Sequence, residues 1–233
     1  MRPQRLARIA GLFYLIVGVF AGFAFYGRSE VYVPGDAATT ARNVAEHAGL
    51  VRASFVADLV QATFFLFLAM ALYVLLKHVH RLVARAMVVF VAVAVGMMCL
   101  NMVYQYAALT IATDSSRADA LGRPGADALV LLMFDLHGYG FLVAQIFFGM
   151  WLLPLGYLVY RSGMLPRALA VLCVVGGVGY LVDLLARFSD PDLGAVLSPF
   201  LITPAAVAEI SMVLWLLIKG VKTPGPSLES APV

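Results

Sequence analysis

Four carboxylates stand inside apolar stretches of this sequence: Asp58, Asp135, Asp183 and Glu209. An ionisable group at such a position is costly, so it faces other helices or a wet cavity, not lipid. Carboxylates so placed can exchange protons or bind a cation. Counted from the outer end of each stretch at ~1.5 Å per helical residue, Asp58 lies ~8 Å deep, Asp135 ~11 Å and Asp183 ~5 Å. Asn101 and Glu209 fall nearer the midplane. Gln61, Tyr104, Gln105, His137, Tyr139 and Gln145 add polarity at similar depths, and five stretches contribute. The set predicts one polar cavity open toward the outside, lined by Asp135, Glu209, Asn101, Gln145 and Asp58.

Three kinds of protein fit that set. A small-molecule, proton or cation handler uses the carboxylates directly. An intramembrane enzyme acting on a lipid uses Asp135 or Glu209 as general base, with His137 assisting. A scaffold or partner subunit uses the polar groups only to lock helices together. Each residue also has a plainer role. Asp58 and Asp183 lie near the interface and can be hydrated or capping. Glu209 can be protonated and bonded to a carbonyl, and His137 can be a hydrogen-bonded packing residue. The glycines at 176, 177 and 179 permit close helix packing. At ~100° per residue, Asp135, Tyr139 and Gln145 share one face and His137 points nearly opposite, so Asp135 and His137 form no acid–base pair within one helix. Asn101, Tyr104 and Gln105 share a face, and Asp183 can pair with Arg187 one turn on.

Other chemistries are excluded. Only His137 is intramembrane, which rules out a multi-histidine zinc site or a bis-histidine haem. Cys99 and Cys173 lack metal-ligand spacing and read as packing residues. No G-x-S-x-G, phosphate loop or dinucleotide fingerprint occurs. No metal and no cofactor is expected. The net charge of +3 is small and the basic residues are scattered, so no nucleic-acid partner is expected.

The elements that must position these residues follow from composition. Of 233 residues, 63% are hydrophobic and 12% charged, whereas a soluble domain is roughly half apolar and a quarter charged. The expected fold is all-α, a polytopic bundle of six spans in one domain. The spans fall at about 9–26, 53–76, 86–112, 128–160, 168–186 and 200–218. The first follows Arg2, Arg5 and Arg8 and is read as an uncleaved membrane helix, not a signal peptide. The fourth, from Ala126 to Arg161, is longer than a bilayer is thick and contains Pro154. Asp36 is placed as the N-cap of a short surface helix through Ala37–His47. Residues 113–127 and 188–199 are read as loops, and 223–233 as a mobile cytoplasmic tail.

Orientation comes from charge. With both termini on one side, that side holds Arg2, Arg5, Arg8, Lys77, Arg81, Arg85, Arg161, Arg167, Lys219 and Lys222 against Glu229 alone. The other side holds Arg28, Arg42, Arg52, Arg117, Arg123 and Arg187 against eight acids. Lys/Arg excess marks the cytoplasm, so both termini are placed there and the protein in the cell membrane. Gln61–Lys77 and Gln145–Arg161 also share Gln, Phe, Leu and Tyr positions, a weak sign of an internal repeat.

RIAGLFYLIVGVFAGF at the start, VPGDAATTARN after the first span and DLHGYGFLVAQIFFGMWLLPLGYLVYRSGMLPRALAVLCVVGGVGYLVD across spans four and five carry a likeness. Through them the chain resembles an uncharacterised bacterial membrane family, domain of unknown function 4386. The YRSGMLPR turn is the most specific part. The resemblance implies six helices and a membrane location and carries no activity with it. The expected partners are the bilayer and a small-molecule, lipid or proton ligand.

Overall fold

In lipid every backbone N–H and C=O has to be satisfied internally, so long apolar runs become helices. The computed structural model describes residues 2–222; the expected tail, 223–233, lies outside the described residues. The order is α1 (Pro3–Val31), α2 (Ala37–Glu46), α3 (Ala48–Leu76), α4 (Arg81–Thr113), α5 (Ser115–Leu121), α6 (Arg123–Ser162), α7 (Arg167–Ser189) and α8 (Pro191–Leu214). A π-helical turn, Trp215–Lys219, ends it, and no strand occurs among the described residues. The fold is all-α, and six of the helices are long and apolar enough to cross a membrane. They run past the apolar stretches at most ends, because a helix once started keeps its ladder into polar sequence. The 40 residues of α6 reach ~60 Å, about twice the hydrocarbon thickness.

The short helix between the first two spans is present. Asp36 caps it, its carboxylate accepting from the Thr39 amide at 2.9 Å. That hydrogen bond holds the Asp36 carboxyl below the usual carboxylate range. A lowered value means the cap stabilises α2 above the unfolded-state pKa and is lost as pH falls through the folded one. Acidification through the carboxylate range is therefore expected to lower the protection factor of the Thr39 amide, measured against its intrinsic exchange rate at each pH, and Asp36→Ala to leave that factor low at every pH.

Two expected loops are shorter than the sequence suggested. Residues 113–127 contain α5, capped by Asp114, and a break at Gly122, whose φ of 71° favours glycine. Pro124 sits in the first turn of α6, where a missing N–H costs nothing. Residues 188–199 are almost wholly helical. Asp190 ends α7 and starts α8, accepting from the Leu193 amide at 3.1 Å with Pro191 next. Asp190-Pro191, expected in a loop, is an N-cap followed by its preferred first residue.

The chain divides into two compact units. One comprises 13–67 and 90–148. Its apolar core joins Val31 to Ala41 and Val44 of α2, Val51 of α3, Ala108 and Leu109 of α4, and Val130 and Phe134 of α6. The other comprises 1–12, 68–89 and 149 onward. There the missing side chains of Gly176 and Gly179 admit Ala205 and the Leu201 carbonyl, which brings α7 against α8. In the same unit the two ends of the described chain meet: the Val221 amide donates to Gln4 Oε1 at 2.7 Å, and Gln4 Nε2 donates to the Lys219 carbonyl at 3.3 Å.

Candidate functional site

The site lies in the unit of residues 13–67 and 90–148, and its centre is a charge the sequence reading placed elsewhere. The charge pattern places Arg28 in an outer loop. It stands instead in the last turn of α1 and forms an ion pair with Asp58 of α3 through Nη1 and Oδ2. The Asp58 side chain is 7% exposed and that of Arg28 18%. Gly27 makes this possible. A side chain there would overlap Ser54 Oγ, so α1 and α3 meet closely one turn before Asp58. Arg28 Nη1 also donates to Gln105 Oε1 at 3.4 Å, and Gln105 Nε2 donates to the Val51 carbonyl at 3.4 Å. A buried guanidinium needs such partners, since an unpaired charge away from water costs several kcal/mol, on the order of its effective desolvation penalty.

Asn101 of α4 and His137 of α6 complete the ring. His137 Nδ1 lies 3.0 Å from the Asn101 carbonyl oxygen. A carbonyl only accepts, so Nδ1 carries the proton and Nε2 is left as an acceptor. Gly140, one turn on, has no side chain, and the Asn101 amide occupies that space. Asn101 is 7% exposed, yet its Nδ2 has no hydrogen-bond partner among the described residues. Arg28, Asp58, Asn101 and His137, with Met98, Met102 and Phe141, border a cavity of about 10 Å³ open to the centre of a water-sized sphere. That is about the room one water needs. The arrangement offers one amide donor, one imidazole acceptor and one ion pair at a single water-sized space.

The other expected residues go elsewhere. Asp135 is half-buried and accepts from the Tyr32 hydroxyl at 2.6 Å; it does not border the cavity. Tyr139 is 57% exposed and Gln145 is buried, so the expected face of Asp135, Tyr139 and Gln145 is split. Val130, Phe134, His137, Ala144 and Gln145 are buried together, which turns α6 so that His137 points in and Tyr139 out. Tyr104 is likewise exposed while Asn101 and Gln105 are buried. Gln61 is half-buried.

Asp183 and Glu209 belong to the other unit. Asp183 is 1% exposed and receives Arg187 Nε at 3.3 Å, the expected pair one turn apart; Arg187 Nη2 donates to Ser198 Oγ at 2.6 Å. Glu209 is half-buried, within electrostatic reach of Tyr180 and Cys173. Within each unit these carboxylates have partners of their own, Asp58 with Arg28 and Asp135 with Tyr32 in one and Asp183 with Arg187 in the other. The reason is the cost of an isolated buried anion, which the nearest donor relieves. Among the described residues no group of three or more His, Cys, Asp or Glu could hold a metal.

Tyr32, just past α1, was missed altogether. Burial first, then the bond to Asp135 and its charge, push its phenol up to about 12. A raised value means that this hydroxyl stabilises the fold below the ordinary tyrosine pKa of about 10 and that the contribution is lost as pH rises from about 10 through about 12. Tyr32→Phe is expected to remove one late-ionising phenol from an ultraviolet titration and to flatten the loss of stability over that window.

A family model, Domain of unknown function (DUF4386), matches residues 9–220. A relative from Archaeoglobus fulgidus, described as an uncharacterized protein, is 38% identical over 80 residues, 34% of this chain and 46% of that one. The chain therefore matches about half the length of this relative. No solved structure matches. With six long apolar helices and a family match spanning nearly its whole length, the chain is a multi-pass membrane protein and belongs to the domain of unknown function 4386 family.

Proposed function

We propose that the protein handles protons in the cell membrane, with both termini cytoplasmic, through Asp58, Arg28, Asn101 and His137. The observation that carries the reading is the unpartnered Asn101 Nδ2 beside the buried Arg28–Asp58 pair in a space for one water. So small a space suits a proton on water better than a solute. In this reading a water accepts from Asn101 Nδ2 and passes a proton to the Asp58 carboxylate. Arg28 is then held by Gln105 Oε1 while its counter-ion is neutral. The proton leaves by way of water to His137 Nε2, which becomes an imidazolium. Intramembrane Asp and His chains of this kind are a recurrent way of moving protons. The charge imbalance between the two sides supports the orientation.

A lipid-directed enzyme is less well supported, because the hydrogen bond seen at His137 goes to the Asn101 carbonyl and not to a carboxylate. A helix-locking role has one observation in its favour: Asp135 and Asp183 are each closed by a local partner. Those two residues are assigned that role here; Asp58, although paired with Arg28, is set apart by the water-sized space it borders.

Proteoliposomes with an internal pH dye and an imposed potassium diffusion potential test the proposal. The wild-type protein is expected to carry protons above the rate of empty liposomes. Arg28→Gln combined with Asp58→Asn keeps a neutral hydrogen-bonded pair and is expected to return the flux to that background. Equal flux in the double variant would refute the assignment.

A further inference from the structure

A second and larger cavity lies in the same unit as the Asp58 site and shares no residue with it. Its volume is about 270 Å³, against about 10 Å³ beside Asp58. It is bounded by α2, the end of α4, α5 and the first turns of α6. The buried part of its lining is made of small or apolar side chains, Ala41 of α2 and Ala126 and Val130 of α6, with Ala45 of α2 exposed above them. Alanine keeps the space open where a longer side chain would fill it.

The rim is charged on both walls. Arg42 and Glu46 stand one turn apart on α2, and Arg123 and Asp127 one turn apart on α6. At that spacing such pairs commonly close on themselves. Here they do not. The ion pairs among the described residues are Arg28–Asp58, Arg117–Asp114 and Arg187–Asp183. Arg42 Nη2 instead donates to Thr39 Oγ1 at 3.4 Å, at the limit of a hydrogen bond. Two guanidiniums and two carboxylates thus border one space with an apolar floor.

We propose that this cavity binds a zwitterion, an ammonium joined by a short chain to a phosphate or carboxylate. The guanidiniums suit the anionic end, whose oxygens they can meet two at a time. Glu46 and Asp127 suit the ammonium, and the alanine floor suits the carbon chain between. A pocket for a simple anion would not carry two acids on its rim, and one for a simple cation would not carry two arginines. Two sources offer this chemistry: a zwitterionic lipid headgroup and a free amino acid or related solute. Ile111 and Ala112 end one span and Ala126 to Val130 begin another, so the cavity lies at the ends of candidate membrane spans, where headgroups are found.

The test uses the full-length protein in detergent and follows its thermal midpoint during titration with glycerophosphoethanolamine, glycerophosphate or β-alanine. Glycerophosphoethanolamine is expected to stabilise saturably, and glycerophosphate, which lacks the ammonium, to need at least about ten times the concentration. Arg42→Gln with Arg123→Gln is expected to weaken glycerophosphoethanolamine by at least about tenfold. Glu46→Gln with Asp127→Asn is expected to erase the preference over glycerophosphate. Ala45→Trp fills the cavity from an exposed position, and it is expected to abolish binding even if a double variant fails to fold. Nanodiscs then separate the sources. If phosphatidylethanolamine discs block the soluble ligand and phosphatidylglycerol discs do not, the occupant is a lipid headgroup. If β-alanine binds as well as glycerophosphoethanolamine and neither disc competes, it is a free zwitterion. Equal binding of glycerophosphate and glycerophosphoethanolamine, or unchanged binding in Ala45→Trp, would overturn the proposal.

Discussion

Asp58→Ala is expected to destabilise the protein by about 3–5 kcal/mol, the usual cost of stranding one member of a buried ion pair. The remaining Arg28 guanidinium would keep Gln105 Oε1 at 3.4 Å and little else. Its side chain is 18% exposed, so water can only partly take the place of Asp58. The cost belongs to the stranded charge and not to the pair as such. Arg28→Met with Asp58→Leu removes both charges and keeps most of the volume, and is expected to recover most of the loss. Unfolding by titration with sodium dodecyl sulfate in bicelles measures both. Equal stability of Asp58→Ala and wild type would mean that the pair is hydrated and weak.

Gly179→Val is the second large effect, expected at about 1–3 kcal/mol or more. A Cβ at Gly179 overlaps the Leu201 carbonyl oxygen of α8, a backbone atom that cannot turn aside. Gly176 repeats the constraint, since a Cβ there would lie 2.5 Å from Ala205 Cα. Membrane helices gain little from apolar burial against one another, so close van der Waals contact through small residues carries much of their packing. Opening α7 from α8 to admit a valine forfeits that contact along the whole pair. Gly96→Val is the matched control, because nothing lies within 4 Å of a Cβ built there. It is expected to leave the unfolding midpoint in place.

How far the molecule is legible in its sequence depends on how local each cause is. The six apolar helices could be read because lipid leaves long apolar segments almost no other backbone choice. Asp36 could be read as an N-cap because its partner is three residues away. Asp190-Pro191 was within reach of the same rule and was read as a loop, although an N-cap followed by proline is a start signal. Arg28 was misplaced because the apolar run stops before it while the helix continues to Val31. Its opposite charge and its outer-end position, like those of Asp58, were the available signal. The inward turn of His137 was out of reach. It depends on the Asn101 carbonyl of another helix and on the space that Gly140 leaves, and neither follows from the spacing within α6. Tyr32 was hidden for the same reason, since Asp135 meets it only in the folded chain.

The central claim is that the Asp58 carboxylate gains and loses a proton beside its arginine. Infrared difference spectroscopy of the reconstituted protein across a pH step tests this most directly. Of the carboxylic acid carbonyl absorbance that grows on acidification in the wild type, one component band is expected to be missing in Asp58→Asn, while His137→Gln leaves that component in place but slows its appearance. A band that persists unchanged in Asp58→Asn would contradict the account, as would a wild-type spectrum in which Asp58 stays ionised at every pH where the protein remains folded.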